Sequence, residues 1–110
     1  MINVKILKSD KRRYAGFTVS GHAGYAREGE DIVCSAVSVL VINTVNALDK
    51  FTDDVFSVDS DNEEGIIDLR FDEDCELSDA AVLLVDTMVL GLTDVAQMHS
   101  AFIQLEIKEV

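Results

Sequence analysis

The chain has 110 residues and a mass of 12.1 kDa, which suits one domain spanning 1–110 and leaves no room for two independent cores. Hydrophobic residues at 48% and charged residues at 27%, with no Pro and 6 Gly, exclude a disordered or collagen-like chain. A formal net charge of -12 is the wrong sign for neutralising phosphates or holding an anionic lipid surface, so we expect no direct nucleic-acid binding and no membrane association.

From Met1 to Lys8, Ile2, Val4 and Ile6 alternate with Asn3, Lys5 and Lys8, the period of a half-buried strand. The polar run from Ser9 to Arg13 reads as a turn, and Tyr14 to Ser20 as a second strand with Ala15, Phe17 and Val19 on one face. From Gly21 to Asp31 the pattern gives way to a glycine-rich loop, GHAGYAREGED, long for a small domain and therefore a place to look for function. Ile32 to about Lys50 is apolar on nearly every side, with Ser35, Ala36, Ser38 and Ala47 interspersed, as in a helix buried on more than one face. Val55 to Val58 and Ile66 to Phe71 are short alternating runs around an acidic turn, Asp59 to Gly65, and predict a second hairpin. Leu77 to Met98 predicts a second long helix, capped near Ser78 or Asp79, with Leu77, Ala81, Leu84, Met88, Leu92 and Val95 on one stripe. Ile103, Leu105 and Ile107 supply a closing strand. The order ββαββαβ predicts an α+β fold: a mainly antiparallel sheet with two long helices packed on it.

Val82, Leu83, Val89 and Leu90 carry the apolar stripe of the second helix around its girth, beyond what one face of a five-stranded sheet covers. A homodimer through helical surface is the expectation, with a three-layer packing inside one chain as the alternative. Met1 to Leu7 has no apolar run of signal-peptide length, and the longest apolar stretches are broken by Ser, Asn, Thr or Asp before about 18 residues. A cytoplasmic protein is expected.

The chemistry concentrates around the glycine-rich loop. His22 follows the second strand, and Cys34 lies just inside the first helix, where free N–H groups and the helix dipole favour thiolate over thiol. The loop lets the chain fold back and bring the imidazole to the sulfur. The resulting dyad has Cys34 as nucleophile and His22 as general base toward the thiol and general acid toward a leaving amine, with backbone N–H groups near Cys34 and Ser35 for the oxyanion. The plain alternative makes Cys34 a small buried hydrophobe.

Asp31 has two readings, the N-cap of the helix or a third member orienting His22. Ser38, one turn after Cys34, either hydrogen-bonds within the site or is a small residue permitting close helix packing. Cys75 lies among Asp72, Glu73, Asp74 and Glu76, carboxylates that disfavour its thiolate, and is taken as inert. His99 reads as a C-terminal cap. Without an export signal both cysteines are expected as free thiols, and with no C-x-x-C and His22 and His99 far apart, no metal and no cofactor is expected. Gly24 and Gly29 have Walker A spacing, but Glu30 and Asp31 stand where Lys and Ser/Thr belong, which argues against nucleotide binding. Residues 49–79 hold 13 acidic and two basic residues, a net -11, either a solvated face or a steering field for a basic partner.

The string Gly21-His22-Ala23-Gly24-Tyr25-Ala26, followed by Gly29-Glu30-Asp31-Ile32-Val33-Cys34-Ser35-Ala36-Val37-Ser38, resembles the signature of the ribosomal-processing cysteine protease family, Prp. The resemblance spans the whole length and element order. It implies a homodimeric α/β cysteine endopeptidase that removes the N-terminal extension of large-subunit ribosomal protein twenty-seven during ribosome maturation, with His22 and Cys34 as the catalytic pair. Ser35 stands where the family commonly has Ala, and His99-Ser100 where Tyr-Pro is frequent; neither change removes a catalytic group. On this reading the acidic segment attracts a basic ribosomal protein, and the Gly21 to Asp31 loop closes over the bound peptide. Two alternatives stay open: a non-enzymatic acidic binding module for a basic ribosomal protein, and a thiol redox sensor.

Overall fold

A computed structural model describes residues 1–10, 13–21, 30–61 and 65–110, with residues 30 and 31 described through their backbone. The expected order is present: β1 (Ile2–Lys8), β2 (Tyr14–Ser20), α1 (Glu30–Phe51), β3 (Phe56–Asp61), β4 (Ile66–Phe71), α2 (Asp79–Met98) and β5 (Ile103–Glu109). The five strands form one sheet in the order β3-β4-β2-β1-β5. Every neighbouring pair is antiparallel except β1 with β5, where Val4 opposes Leu105 and Ile6 opposes Ile107 in parallel register.

Strand alternation sends Ile2, Val4, Ile6, Phe17, Val19 and Leu69 to one face, where all are buried. The helices close over that face. α1 contributes Val33, Val37, Val41 and Leu48, and α2 contributes Ala81, Val85, Met88 and Leu92, each set at helical spacing. The opposite face of the sheet carries Lys5, Thr18, Asp68, Arg70 and Glu106, none of them buried. Both helices therefore pack on one side, and the fold has two layers.

Ser78 caps α2, its hydroxyl accepting from the Ala81 N–H at 3.1 Å, and His99 ends it, its N–H donating to the Val95 carbonyl at 2.9 Å. Leu77 precedes the helix and is half-buried against the core. Two boundaries differ from the sequence reading. The stretch Asp59 to Asp61, expected as turn, continues β3, because the β4 partners Asp68, Ile67 and Ile66 take up its backbone despite its polar side chains. α1 begins at Glu30, which puts Asp31 inside the first turn and removes it from the cap position. The two helices also reach the length of a membrane span, with a mean hydropathy of 1.7 in an 18-residue window of Ile32–Phe51 and 1.5 in one of Asp79–Met98. Counting uninterrupted apolar runs missed this, since isolated Ser, Thr and Asn barely lower the mean; here each helix buries a core stripe on the sheet.

That packing leaves apolar surface over. Ile32, Val39 and Ile42 of α1 and Leu83 and Leu90 of α2 are exposed, Leu83 and Leu90 each at 66%. Of the extra girth read from the α2 sequence, Val82 and Val89 are half-buried against the core while Leu83 and Leu90 face solvent, and no third layer covers them among the described residues.

Candidate active site

The buried stripe of α1 fixes what the next row of side chains can do. Val33, Val37 and Val41 pin the helix to the sheet, and Cys34, Ser38 and Ile42, each one residue on, form a parallel row about 100° around the helix. This row forms one wall of a cavity of about 320 Å³. Val37 and Val41 line it too, and among the described residues the sheet supplies Ile2 and Val19 from β1 and β2 and Ile66 and Ile67 from β4, with Asp61, Gly65 and Gly21 at the strand ends. Cys34 is half-buried and Ser38 exposed, so the thiol lies against an apolar pocket with an open side.

Gly21 closes the end of β2 with φ +89°, a conformation that side-chain-bearing residues rarely adopt. A Cβ there would stand 2.4 Å from the carbonyl oxygen of Met1. Only glycine lets the chain leave β2 at this point, beside the Cys34 cavity, and the next residue is His22. His22 and the loop to Gly29 lie outside the described residues, as do the side chains of Glu30 and Asp31.

With α1 starting at Glu30, the N–H groups lacking intrahelical partners lie upstream of Cys34. The N–H groups of Cys34 and Ser35 fall in the regular ladder, which corrects the expectation that they face an oxyanion. Cys34 is the fifth residue of α1, one turn in from its N-terminus.

Cys34 and Cys75 are both free, and Cys75 is exposed in the turn after β4. Among the described residues no three His, Cys, Asp or Glu side chains are grouped to hold a metal ion. The sheet residues of the cavity were not singled out in sequence. Ile2, Val19, Ile66 and Ile67 look like any inward strand residues until the strand order brings β4 beside β2, opposite Cys34.

A half-buried free cysteine near the start of a helix, on the wall of a largely apolar cavity, is the candidate for thiol chemistry. The family model for cysteine protease Prp matches residues 1–104. The chain belongs to the Prp cysteine protease family. The ribosomal processing cysteine protease Prp of Bacillus subtilis is 31% identical over 94 residues, covering 84% of each chain. Among solved structures, the Prp ribosomal processing protease of Staphylococcus aureus in complex with a substrate peptide superposes with a TM-score of 0.89 at 27% identity, covering 98% of this chain and 100% of that one. The same protease with a covalently linked product peptide gives a TM-score of 0.85 at 28% identity, with the same coverage. Membership makes this chain a peptide-bond hydrolase of the thiol class, and the ββαββαβ fold is that of its family.

Proposed function

We propose that the chain removes the N-terminal extension of large-subunit ribosomal protein twenty-seven during ribosome maturation, using a Cys34 and His22 dyad. The observation that carries this is the position of Cys34, at the start of α1 and on the wall of the 320 Å³ cavity. Gly21, the residue before His22, lines the same cavity, which supports the pairing.

His22 takes the thiol proton as the Cys34 sulfur attacks the scissile carbonyl carbon. The oxyanion that forms lies toward the positive end of α1. As the C–N bond breaks, the imidazolium returns its proton to the leaving amine, and a thioester remains on Cys34. Water, deprotonated by His22, then splits the thioester, releases the new carboxylate and restores the thiol. The covalent product in the Staphylococcus aureus structure is in keeping with this route. Asp31 orients His22 in this scheme, and Ser38 lines the cavity one turn beyond the nucleophile.

The same reading places the protein in the cytoplasm, where ribosomal proteins are made, and as a homodimer without direct contact to nucleic acid. Support for the dimer is the exposed row Ile32, Val39 and Ile42 with Leu83 and Leu90. Sedimentation at micromolar concentration gives twice 12.1 kDa if this holds and the single-chain mass if not.

The deciding experiment is intact-mass analysis of ribosomal protein twenty-seven bearing its extension, from the same organism, incubated with the wild type or with Cys34→Ala. A single N-terminal truncation with the wild type and none with the variant is expected. An untouched substrate in the presence of folded wild type refutes the assignment and favours the acidic binding module.

A further inference from the structure

β3 forms one edge of the sheet. Among the described residues it pairs only with β4, so the row of N–H and C=O groups along its other side has no strand partner. Ser57, Val58, Asp59, Ser60 and Asp61 are all exposed, and the strand contains neither Pro nor Lys, two residues that commonly blunt such an edge. An open edge of this kind accepts an extended peptide as an added strand.

Both ends of β3 run into cavities. Asp61 lines the Cys34 cavity at one end. At the other, Phe56 and Ser57 line a second cavity of about 320 Å³ together with Val55, Arg70, Phe71, Asp72 and Glu73. Its two carboxylates outnumber the Arg70 guanidinium, whose Nε is already bonded to Asp68, and with the two Phe rings they suit a Lys or Arg side chain, whose stem is apolar and whose head is charged. The six residues of β3 span about 20 Å, the length of an extended hexapeptide.

Charge selects the occupant. Asp59 stands directly opposite Asp68 in the β3 and β4 register, a like-charge pair that costs stability. Arg70 gives its Nε hydrogen bond to Asp68, at 2.7 Å. A cation arriving along β3 relieves the repulsion at Asp59, within a segment, residues 49–79, of net charge -11.

We propose that the open edge of β3 is the docking rail for substrate: an extended peptide carrying Lys or Arg adds to it as a sixth strand, its scissile residue reaching the Cys34 cavity. The inference rests on Cys34 being the nucleophile of the proposed protease. The plain alternative is that Asp59 and Asp61 only keep the edge from pairing with other chains.

Strand addition leaves a signature that charge attraction does not. In synthetic peptides covering the cleavage point of ribosomal protein twenty-seven, each with one backbone N-methyl group, kcat/KM falls about tenfold at every second position and less than about twofold between them. Asp59→Asn lowers kcat/KM about threefold on the unmethylated peptide and leaves unchanged a version with its Lys and Arg replaced by Gln. An even loss along the peptide, or none, overturns the rail while cleavage by the wild type still stands. If the unmethylated peptide is not cleaved, the processing assignment fails, and the same scan is read as affinity for Cys34→Ala by fluorescence anisotropy. Alternation there supports the rail without catalysis; a flat profile or no binding overturns it.

Discussion

Asp54 accepts both hydrogen bonds that Ser78 has to give, one from its backbone N–H at 2.8 Å and one from its hydroxyl. The hydroxyl oxygen meanwhile accepts from the Ala81 N–H, so the segment after α1 is tied directly to the first turn of α2. Burial pushes the Asp54 carboxyl up, but the two bonds from Ser78, helped by Thr52, outweigh it and hold the group below the usual 3.8.

A depressed carboxylate stabilises the fold above its unfolded value and loses that contribution as pH falls through its native one. Asp54→Asn therefore lowers stability at pH 7, and the gap to wild type closes below about pH 3.8. Ser78→Ala loses the cap as well and costs about 1 kcal/mol at neutral pH. Urea denaturation at pH 7 and pH 3 checks both, and a gap that is equal at the two values refutes the linkage.

Tyr14 shows the opposite sign. Its hydroxyl donates to Asp86 across the interface between β2 and α2, and burial, with Asp86 next, raises the phenol from the usual 10 to about 12. Arg13 lies 3.7 Å from the same carboxylate. The native state keeps a proton that the unfolded chain releases, so this stabilisation is complete below pH 10 and is lost between 10 and about 12. The chain has 2 Tyr. In a Tyr25→Phe background, absorbance at 295 nm reports Tyr14 alone and gives a midpoint near 12. Asp86→Asn moves the midpoint down but leaves it above 10, because burial remains. A midpoint of 10 in the folded Tyr25→Phe protein counts against the buried bond.

Gly21 and Gly16 offer a controlled comparison. A Cβ at Gly21 meets the Met1 carbonyl oxygen at 2.4 Å, and one at Gly16 meets the Leu69 carbonyl oxygen at 2.2 Å. Both contacts are with backbone, so both Ala variants lose stability, by about 1–3 kcal/mol on the scale of local backbone strain. Only Gly21 borders the Cys34 cavity. Measured on the folded fraction, Gly21→Ala lowers kcat/KM about tenfold and Gly16→Ala changes it less than about twofold. Equal kinetic losses show that Gly21 matters only for folding.

β1, β2 and β4 were legible because each is an inner strand whose alternation is enforced by the core; Ile6, Phe17 and Leu69 are fully buried. β3 was cut short because an edge strand needs apolar residues on neither side of Asp59 to hold its ladder. The strand order was not legible, and with it went the cavity, since nothing local to Ile66 or Val19 tells that β4 lies beside β2. Cys34 stands out in sequence by its place near a helix start and Ser38 by its spacing one turn on, and both line the cavity. His22 lies outside the described residues, and its role rests on its place after β2 and on the motif from Gly21 to Ser38.

The two cysteines separate exposure from activation. Cys75 is exposed and Cys34 half-buried, so accessibility alone makes Cys75 the faster thiol. The proposed pairing with His22 reverses that order, because the thiolate is the reacting species and an adjacent base supplies it. With iodoacetamide at pH 7, peptide mapping should find Cys34 labelled about tenfold faster than Cys75. His22→Ala removes the advantage and leaves Cys75 first. Saturating uncleavable substrate peptide protects Cys34 and not Cys75, since only Cys34 lines the cavity. A Cys34 that is slow in the wild type and indifferent to His22→Ala is a packing residue, and the dyad fails with it.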